Sequence, residues 1–185
     1  MQGGLATFMH IDTFADHIHA TAPHAKILGM PDSGFWPDDP AEGFSNTFNS
    51  MYKMQNNGSS YWGMVKNCKW KTSNVSKCLF PQYFADEIET PLFPLQSIYD
   101  PLQKGKDPQS HGQWLLAQIN QTILSKPQNG AWVHSCERHC GAELITIDGD
   151  TVPHSAIGQL MAGTRRLWLQ EAKYPCTQCC NDVKM

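Results

Sequence analysis

The chain has 185 residues, and 41% of them are hydrophobic, which is enough for one domain with a buried core. Its net charge of -3 and its 14 dispersed Lys and Arg residues leave no basic surface for a nucleic-acid backbone, so we expect no nucleic-acid partner. No apolar run approaches the roughly 20 residues that cross a bilayer, and the first residues lack the pattern of a signal peptide.

The first predicted element is an amphipathic helix over about residues 4–20. Apolar residues recur at helical spacing at Leu5, Phe8, Ile11, Ala15 and Ile18. The other face carries His10 and His17 together with aspartates, which is typical of a solvated face rather than of a metal site. We therefore expect no metal ligands on this helix.

The remaining elements alternate between strands and helices. "AKILGM" is a short apolar run that ends in the turn residues "PDSG", and residues 37–70 are polar enough to predict a helix followed by a long loop. "TPLFPLQSIYD" and "GAWVHSC" predict two further strands, "HGQWLLAQINQTIL" between them predicts a helix, and a last helix is expected over about residues 155–169. This alternation predicts an α/β fold with a parallel sheet covered by helices on both faces.

The seven cysteines and three glycosylation sequons indicate an oxidising compartment. Seven cysteines are many for a reducing compartment unless they bind metal or do redox chemistry. The sequons begin at Asn57, Asn74 and Asn120. We expect a secreted protein, extracellular or in the cell wall. Because no signal peptide is seen and the glycine pair Gly3-Gly4 leads straight into a helix, we expect the C-terminal part of a longer chain.

Polar residues follow each predicted strand, and function collects at such strand ends in open parallel sheets. Asp32 follows the first strand, Asp100 the second, and "HSCERHC" the third. An acid and then a histidine, each just past a strand, is the order in which an α/β-hydrolase supplies its triad after the nucleophilic serine. That serine lies on a sharp strand-to-helix turn, and Gly3-Gly4 is interpreted as the end of such a turn.

Several ordered motifs resemble the pectin acetylesterase and Notum family of secreted serine esterases, whose nucleophile turn reads G-x-S-A-G-G. The matching segments are "GGLATFMHIDTF", "PDSGFW", "CLFPQY", "SIYD", "SCERHC" and "YPC". The resemblance covers nearly the whole chain and implies that residues 1–185 are the C-terminal part of one α/β-hydrolase-like domain. It departs from the motif at the start, where Met1 stands at the serine position and Gln2 at that of the alanine.

The resemblance implies a role for each matched residue. Asp100 becomes the triad acid and His139 the general base, and the backbone N–H of Gln2 becomes an oxyanion donor. His134 lies inside the strand and is not the expected base. We expect a substrate pocket shaped by Asp32 and walled by Trp36, Leu79 and Phe80, although large aromatic residues are more often plain core.

The cysteines allow two interpretations. Cys136, Cys140 and the tail cysteines could form a four-cysteine zinc site, since short-spaced thiolate pairs suit tetrahedral zinc. Disulfides explain the same residues more simply: Cys68 would pair with Cys78, and Cys136 and Cys140 would bridge to two of the three tail cysteines. The candidates are Cys68, Cys78, Cys136, Cys140, Cys176 and Cys180, with one cysteine of the tail left over. We expect no metal and no cofactor.

Two classes of function follow. The first is a serine carboxylesterase that deacetylates acetylated pectin or a related polysaccharide through an acyl-enzyme, with this chain inactive by itself because it lacks the serine. The second is a relative that binds a glycan or lipid without turning it over. Within the first class, a Notum-like deacylase of lipidated protein is the alternative substrate prediction.

Overall fold

The computed structural model describes residues 2–38, 46–50, 54, 68, 75–176 and 178–180. Within them the helices include α1 (Gln2–His19), α2 (Pro108–Thr122) and the short α3 (Ile157–Met161), and residues 46–50 are also helical. The strands are β1 (Leu95–Ser97), β2 (Ala131–His134) and β3 (Leu167–Leu169). The strands form a parallel sheet in the order β1-β2-β3. The α/β class and the parallel sheet predicted from the sequence are confirmed. In the described part of the chain, no helix combines the length and the apolarity that a membrane crossing requires.

The two faces of β2 contact different cores. Ala131 and Val133 point to a cluster that includes the apolar face of α1 and of α2. Trp132, between them, points to a second cluster with Trp168 of β3 and Leu160 of α3. Because both faces are covered, β2 is buried along its whole length and reads as a continuous apolar run.

The predicted first strand, at residues 25–30, is reduced to isolated bridges beside β1. Gly29 pairs with Leu92 and Asp32 with Leu95, both in the parallel sense. Between these two bridges Pro31 accepts the Leu95 N–H at 3.0 Å but has no N–H of its own to donate, so the ladder lacks one bond there. The segment nevertheless runs beside β1, so Asp32 reaches the same sheet edge as the residues that follow β1.

The helix predicted over residues 155–169 is wrong in its second half. The helix ends at Met161, Gly163 adopts a left-handed φ of 69°, and Leu167–Leu169 forms β3 against Ala131–Val133 of β2. Glycine takes this conformation without the steric cost of a Cβ, and it ends the helix. The apolar run that follows pairs with β2 instead of continuing the helix.

The start of α1 packs unusually closely on the loop that carries Asp32. A Cβ on Gly4 would lie 2.2 Å from the Asp32 carbonyl oxygen, and a Cβ on Gly34 would lie 2.3 Å from the Gly4 carbonyl carbon. Gly3 has no neighbour within 4 Å of such a Cβ. Of the glycine pair, only Gly4 is therefore required by packing, and it sets α1 against the edge where the polar residues collect.

Candidate active site

Asp100 and His139 meet at the carboxyl ends of β1 and β2. Because these strands are parallel neighbours, the loops that follow them leave the sheet at the same edge. His139 Nδ1–H donates to Asp100 Oδ2 at 2.6 Å, and the two side chains are 15% and 0% exposed. The acid and the histidine singled out in the sequence are thus brought into direct contact.

The Asp100 carboxylate is held by its own turn. The second carboxylate oxygen, Oδ1, accepts the Leu102 N–H at 2.8 Å. The backbone carbonyl of Asp100 accepts the N–H groups of Gln103 and Lys104 at 2.9 Å each. Burial raises the pKa of Asp100, while the hydrogen bonds from His139 and from Leu102 act in the opposite direction. The carboxylate is therefore oriented toward the imidazole and shielded from water.

The Nε2 atom of His139 is the available end of the ring. It is buried and has no hydrogen-bond partner among the described residues. With Nδ1 engaged by Asp100, a proton can be taken up or released only at Nε2. This is the arrangement that a general base requires.

The loop carrying His139 is attached to Asp32 and Ser33. Asp32 Oδ2 accepts the Gly141 N–H at 2.7 Å, and Ser33 Oγ accepts the Cys140 N–H at 2.8 Å while donating to Asp32 Oδ1 at 3.1 Å. Burial raises the pKa of Asp32, and the hydrogen bonds from Gly141 and Ser33 oppose that shift. Asp32 was predicted to shape the pocket, and the structure places its carboxylate in contact with the backbone of the histidine loop.

Two buried glutamines, which the sequence analysis did not single out, connect the loops of the site. Gln96 Nε2 donates to Gln103 Oε1 at 3.0 Å, and Gln103 Nε2 donates to the Ser33 carbonyl at 3.1 Å. Gln96 Oε1 accepts the Phe35 N–H at 3.2 Å. Both glutamines are 0% exposed, so these bonds lie away from water. A glutamine inside the apolar run "LFPLQS" was the available signal.

An aromatic cluster stands beside His139. The Trp36 ring lies 6.1 Å from the His139 ring and 6.0 Å from Phe48, and Phe48 lies 4.8 Å from Phe80. Leu79 packs against the same cluster. The three residues predicted to wall the pocket, Trp36, Leu79 and Phe80, are therefore brought together. Phe48 was missed because it lies in the polar segment 37–70, where no apolar periodicity marks it.

The disulfides differ from the expected pairing in the tail. Cys68 joins Cys78 and Cys136 joins Cys180, but Cys176 joins Cys179, and Cys140 lies outside the three disulfides. The expectation that both Cys136 and Cys140 bridge to the tail is wrong. The Cys140 backbone is fixed by Ser33 in a left-handed conformation, with φ of 65°, and Cys176 has a partner within its own turn. Cys136, Cys176, Cys179 and Cys180, four of the cysteines considered for the zinc site, form disulfides in the structure.

Five further predicted residues lie outside the described side chains or apart from the site. Met1, Asn57 and Asn74 lie outside the described residues. Gln2 is the first residue of α1. Asn120 is exposed on α2. A cleft of about 490 Å³ opens between α1 and residues 25–27 and 89–91, and none of the site residues lines it.

Comparison with known proteins gives one consistent family. Residues 2–110, more than half of the chain, match the pectinacetylesterase family model. Pectin acetylesterase 4 of Arabidopsis thaliana is 25% identical over 219 residues, covering 96% of this chain and 51% of its own length, and pectin acetylesterase 5 of the same plant is 24% identical, covering 98% and 50%. The chain thus spans about half the length of these curated relatives.

Solved structures show the same fold. Two crystal forms of the Wnt deacylase Notum from Drosophila superpose with TM-scores of 0.72 and 0.71, at 19% and 18% identity. They cover 96% and 99% of this chain, and each is matched over 56% of its own length. At this identity the likeness concerns the fold alone, which is α/β-hydrolase-like. By its match to the family model, the chain belongs to the pectinacetylesterase family.

Proposed function

We propose that this chain carries the acid and the base of a serine carboxylesterase site, with Asp100 and His139 in those roles. The observation that carries the proposal is the 2.6 Å hydrogen bond between His139 Nδ1 and Asp100 Oδ2, combined with a buried Nε2 that has no partner among the described residues. Family membership supplies the reaction class. Ester hydrolysis needs no cofactor in this scheme.

The proposed reaction runs through an acyl-enzyme. Nε2 of His139 takes the proton of a serine hydroxyl while the serine oxygen attacks the ester carbonyl, and Asp100 stabilises the resulting imidazolium. Nε2 then returns the proton to the leaving alcohol, and water hydrolyses the acyl-serine by the same route. In the family motif this serine stands where the present sequence has Met1, whose thioether has no proton to give.

Gln2 fits the proposed role of oxyanion donor. It is the first residue of α1, and the first N–H groups of a helix have no acceptor within the helix. Such groups, at the positive end of the helix dipole, bind developing negative charge. The close packing of Gly4 on the Asp32 loop fixes this helix end beside the site.

The proposed substrate is an acetylated polysaccharide of the pectin type. Trp36 lies beside the His139 ring and packs on Phe48, which packs on Phe80, so an apolar aromatic surface is available next to the base for the acyl group. The named relatives are pectin acetylesterases. Deacylation of a lipidated protein is the alternative substrate prediction, and a long-chain ester would detect it; the structural neighbour Notum is a Wnt deacylase.

A protein that binds a glycan or lipid without turning it over is the second candidate function, and it would use the same aromatic cluster beside His139. Both candidates place the protein outside the cell, extracellular or in the cell wall. The three disulfides of the structure support this location. Asn120, exposed on α2, is the proposed glycan site among the described sequons.

The test compares the chain with a version extended upstream through a G-x-S-A-G-G turn and its preceding strand. Both are assayed on acetylated pectin, p-nitrophenyl acetate and a p-nitrophenyl ester of a long fatty acid. We expect the extended chain to hydrolyse the two acetyl esters, the long-chain ester to be poor, and the unextended chain to be inert. A folded extended chain that is inert on every ester leaves the binding function as the conclusion.

A further inference from the structure

We infer that Asp32 and Ser33 form a clamp that positions His139 against Asp100 by accepting the two backbone N–H groups that follow His139. The catalytic role of this clamp rests on the proposed function, whereas its hydrogen bonds do not. It assigns Asp32 a positioning role in place of the pocket-lining role suggested by the sequence. The clamp does not touch the imidazole itself.

The clamp consists of two hydrogen bonds from consecutive backbone N–H groups to consecutive side chains. The Cys140 N–H goes to Ser33 Oγ at 2.8 Å and the Gly141 N–H goes to Asp32 Oδ2 at 2.7 Å. The two donors belong to adjacent residues, and so do the two acceptors. Because the donors directly follow His139, any shift of this backbone moves the ring relative to Asp100.

The histidine loop needs such a restraint because its backbone is in a conformation that side chains disfavour. Cys140 has φ of 65° and Gly141 has φ of 76°. Glycine tolerates the left-handed region, whereas a residue with a Cβ adopts it only where the surroundings impose it. The hydrogen bond from the Cys140 N–H to Ser33 Oγ is one of the contacts that hold it there.

The clamp is itself rigidly mounted. Ser33 is 1% exposed, donates its N–H to the Leu95 carbonyl at 2.9 Å, and accepts Gln103 Nε2 on its own carbonyl at 3.1 Å. On the other side, Gly34 lies against the Gly4 backbone. The clamp is thus tied to β1, to the turn of Asp100 and to the start of α1, the three elements that the proposed site uses.

A positioning role of this kind depends on the acceptor oxygen of Asp32 rather than on its charge. Asp32 is also close enough to His139 and Asp100 for their charges to interact, so a charge role is the competing explanation. Two substitutions of Asp32 distinguish the positioning role from the charge role. Asp32→Asn keeps a side-chain oxygen for the Gly141 N–H and removes the charge, whereas Asp32→Ala removes both.

The test is proton NMR of the chain, which reports the His139–Asp100 hydrogen bond without any turnover. The low-field Nδ1–H resonance is assigned by its loss in His139→Gln. We expect Asp32→Ala to abolish or broaden this resonance and Asp32→Asn to retain it. If Asp32→Ala leaves the resonance unchanged, the clamp is refuted, and if Asp32→Asn abolishes it as completely as Asp32→Ala, the charge explanation replaces it.

The matched control is Asp12→Ala. Asp12 also accepts two successive backbone N–H groups, those of Glu89 at 3.0 Å and Thr90 at 2.8 Å, but outside the site. We expect Asp12→Ala to leave the low-field resonance in place. This result would show that removing a carboxylate that accepts two backbone N–H groups elsewhere in the protein does not disturb the hydrogen bond between His139 and Asp100. If Asp32→Ala fails to fold by circular dichroism, Ser33→Ala carries the test, because it removes the acceptor of the Cys140 N–H and the hydroxyl bond to Asp32 Oδ1 but keeps the Asp32 carboxylate that accepts the Gly141 N–H.

In the extended chain the clamp predicts a drop in kcat on p-nitrophenyl acetate of on the order of 10²-fold in Asp32→Ala, with KM nearly unchanged. Asp32→Asn should recover most of this loss. The two proposals fail separately. An inert extended chain with the NMR result intact removes the esterase function and keeps the clamp, whereas an active chain insensitive to Asp32→Ala removes the clamp and keeps the esterase.

Discussion

Acid should destabilise this fold through His134, the last residue of β2. Its side chain is 1% exposed, and Nδ1 is buried with no hydrogen-bond partner among the described residues. Burial lowers the pKa of His134 from 6.5 to about 4, and the nearby Arg138 charge acts in the same direction. The folded protein therefore resists a proton that the unfolded chain accepts.

The sign and size of the effect follow from proton linkage. Above the unfolded pKa of 6.5 His134 is neutral in both states and costs nothing. As the pH falls, only the unfolded chain binds the proton, and stability falls by about 1.4 kcal/mol per pH unit. The loss reaches about 2 kcal/mol near pH 5 and levels off near roughly 3 kcal/mol below the folded pKa.

The assay is urea unfolding followed by tryptophan fluorescence at about pH 7 and about pH 5, since Trp132 and Trp168 are fully buried. His134→Gln cannot be protonated, so its stability should fall less between the two pH values than that of the unmodified chain, by about 2 kcal/mol. Burial raises the pKa of Asp32 and of Asp100, which makes acid favourable for them, but this contribution is common to both proteins and cancels in the comparison. His10→Gln, at an exposed position, is the control. Equal pH dependence in His134→Gln and the unmodified chain would refute the reasoning.

Two further predictions concern stability, measured by urea unfolding at neutral pH. Gly4→Ala should destabilise the fold by about 1–3 kcal/mol or more, because its Cβ would lie 2.2 Å from the Asp32 carbonyl oxygen. Gly3→Ala, with open space around the added Cβ, should be neutral or slightly stabilising. Equal effects of the two substitutions would contradict the close approach of Gly4 to the Asp32 loop. Cys180→Ser opens a disulfide with a sequence separation of 44 and should cost about 4 kcal/mol, whereas Cys179→Ser opens one with a separation of 3 and should cost only about 2 kcal/mol. The reverse order would contradict the dependence on loop length.

Local sequence was enough to predict the elements whose signal lies within one segment. α1 and α2 have apolar residues at helical spacing, and the strand runs containing β1 and β2 are short, apolar and bounded by turn residues. β3 was missed because Leu167–Leu169 continues the apolar spacing of the preceding helix. Its strand character depends on pairing with β2, which no local pattern reveals.

The candidate site shows the same division. The meeting of Asp100 and His139 was predictable because both follow strands of a parallel sheet in hydrolase order. The exclusion of Cys140 from the disulfides was not, since cysteine spacing leaves the connectivity open. The hydrogen bonds of Gln96 and Gln103 were equally hidden, because each joins groups that are brought together only by the folded chain.

The central claim is that Asp100 and His139 act as the acid and base of an ester-hydrolysing site, and the most direct measurement is kcat on p-nitrophenyl acetate in the extended chain carrying the family serine. We predict that His139→Ala lowers kcat by on the order of 10⁶-fold and Asp100→Asn by on the order of 10⁴-fold, as in serine proteases. His134→Gln, at the end of the same strand, should leave kcat within a few-fold. Turnover that survives His139→Ala, or that is lost equally in His134→Gln, would contradict the assignment.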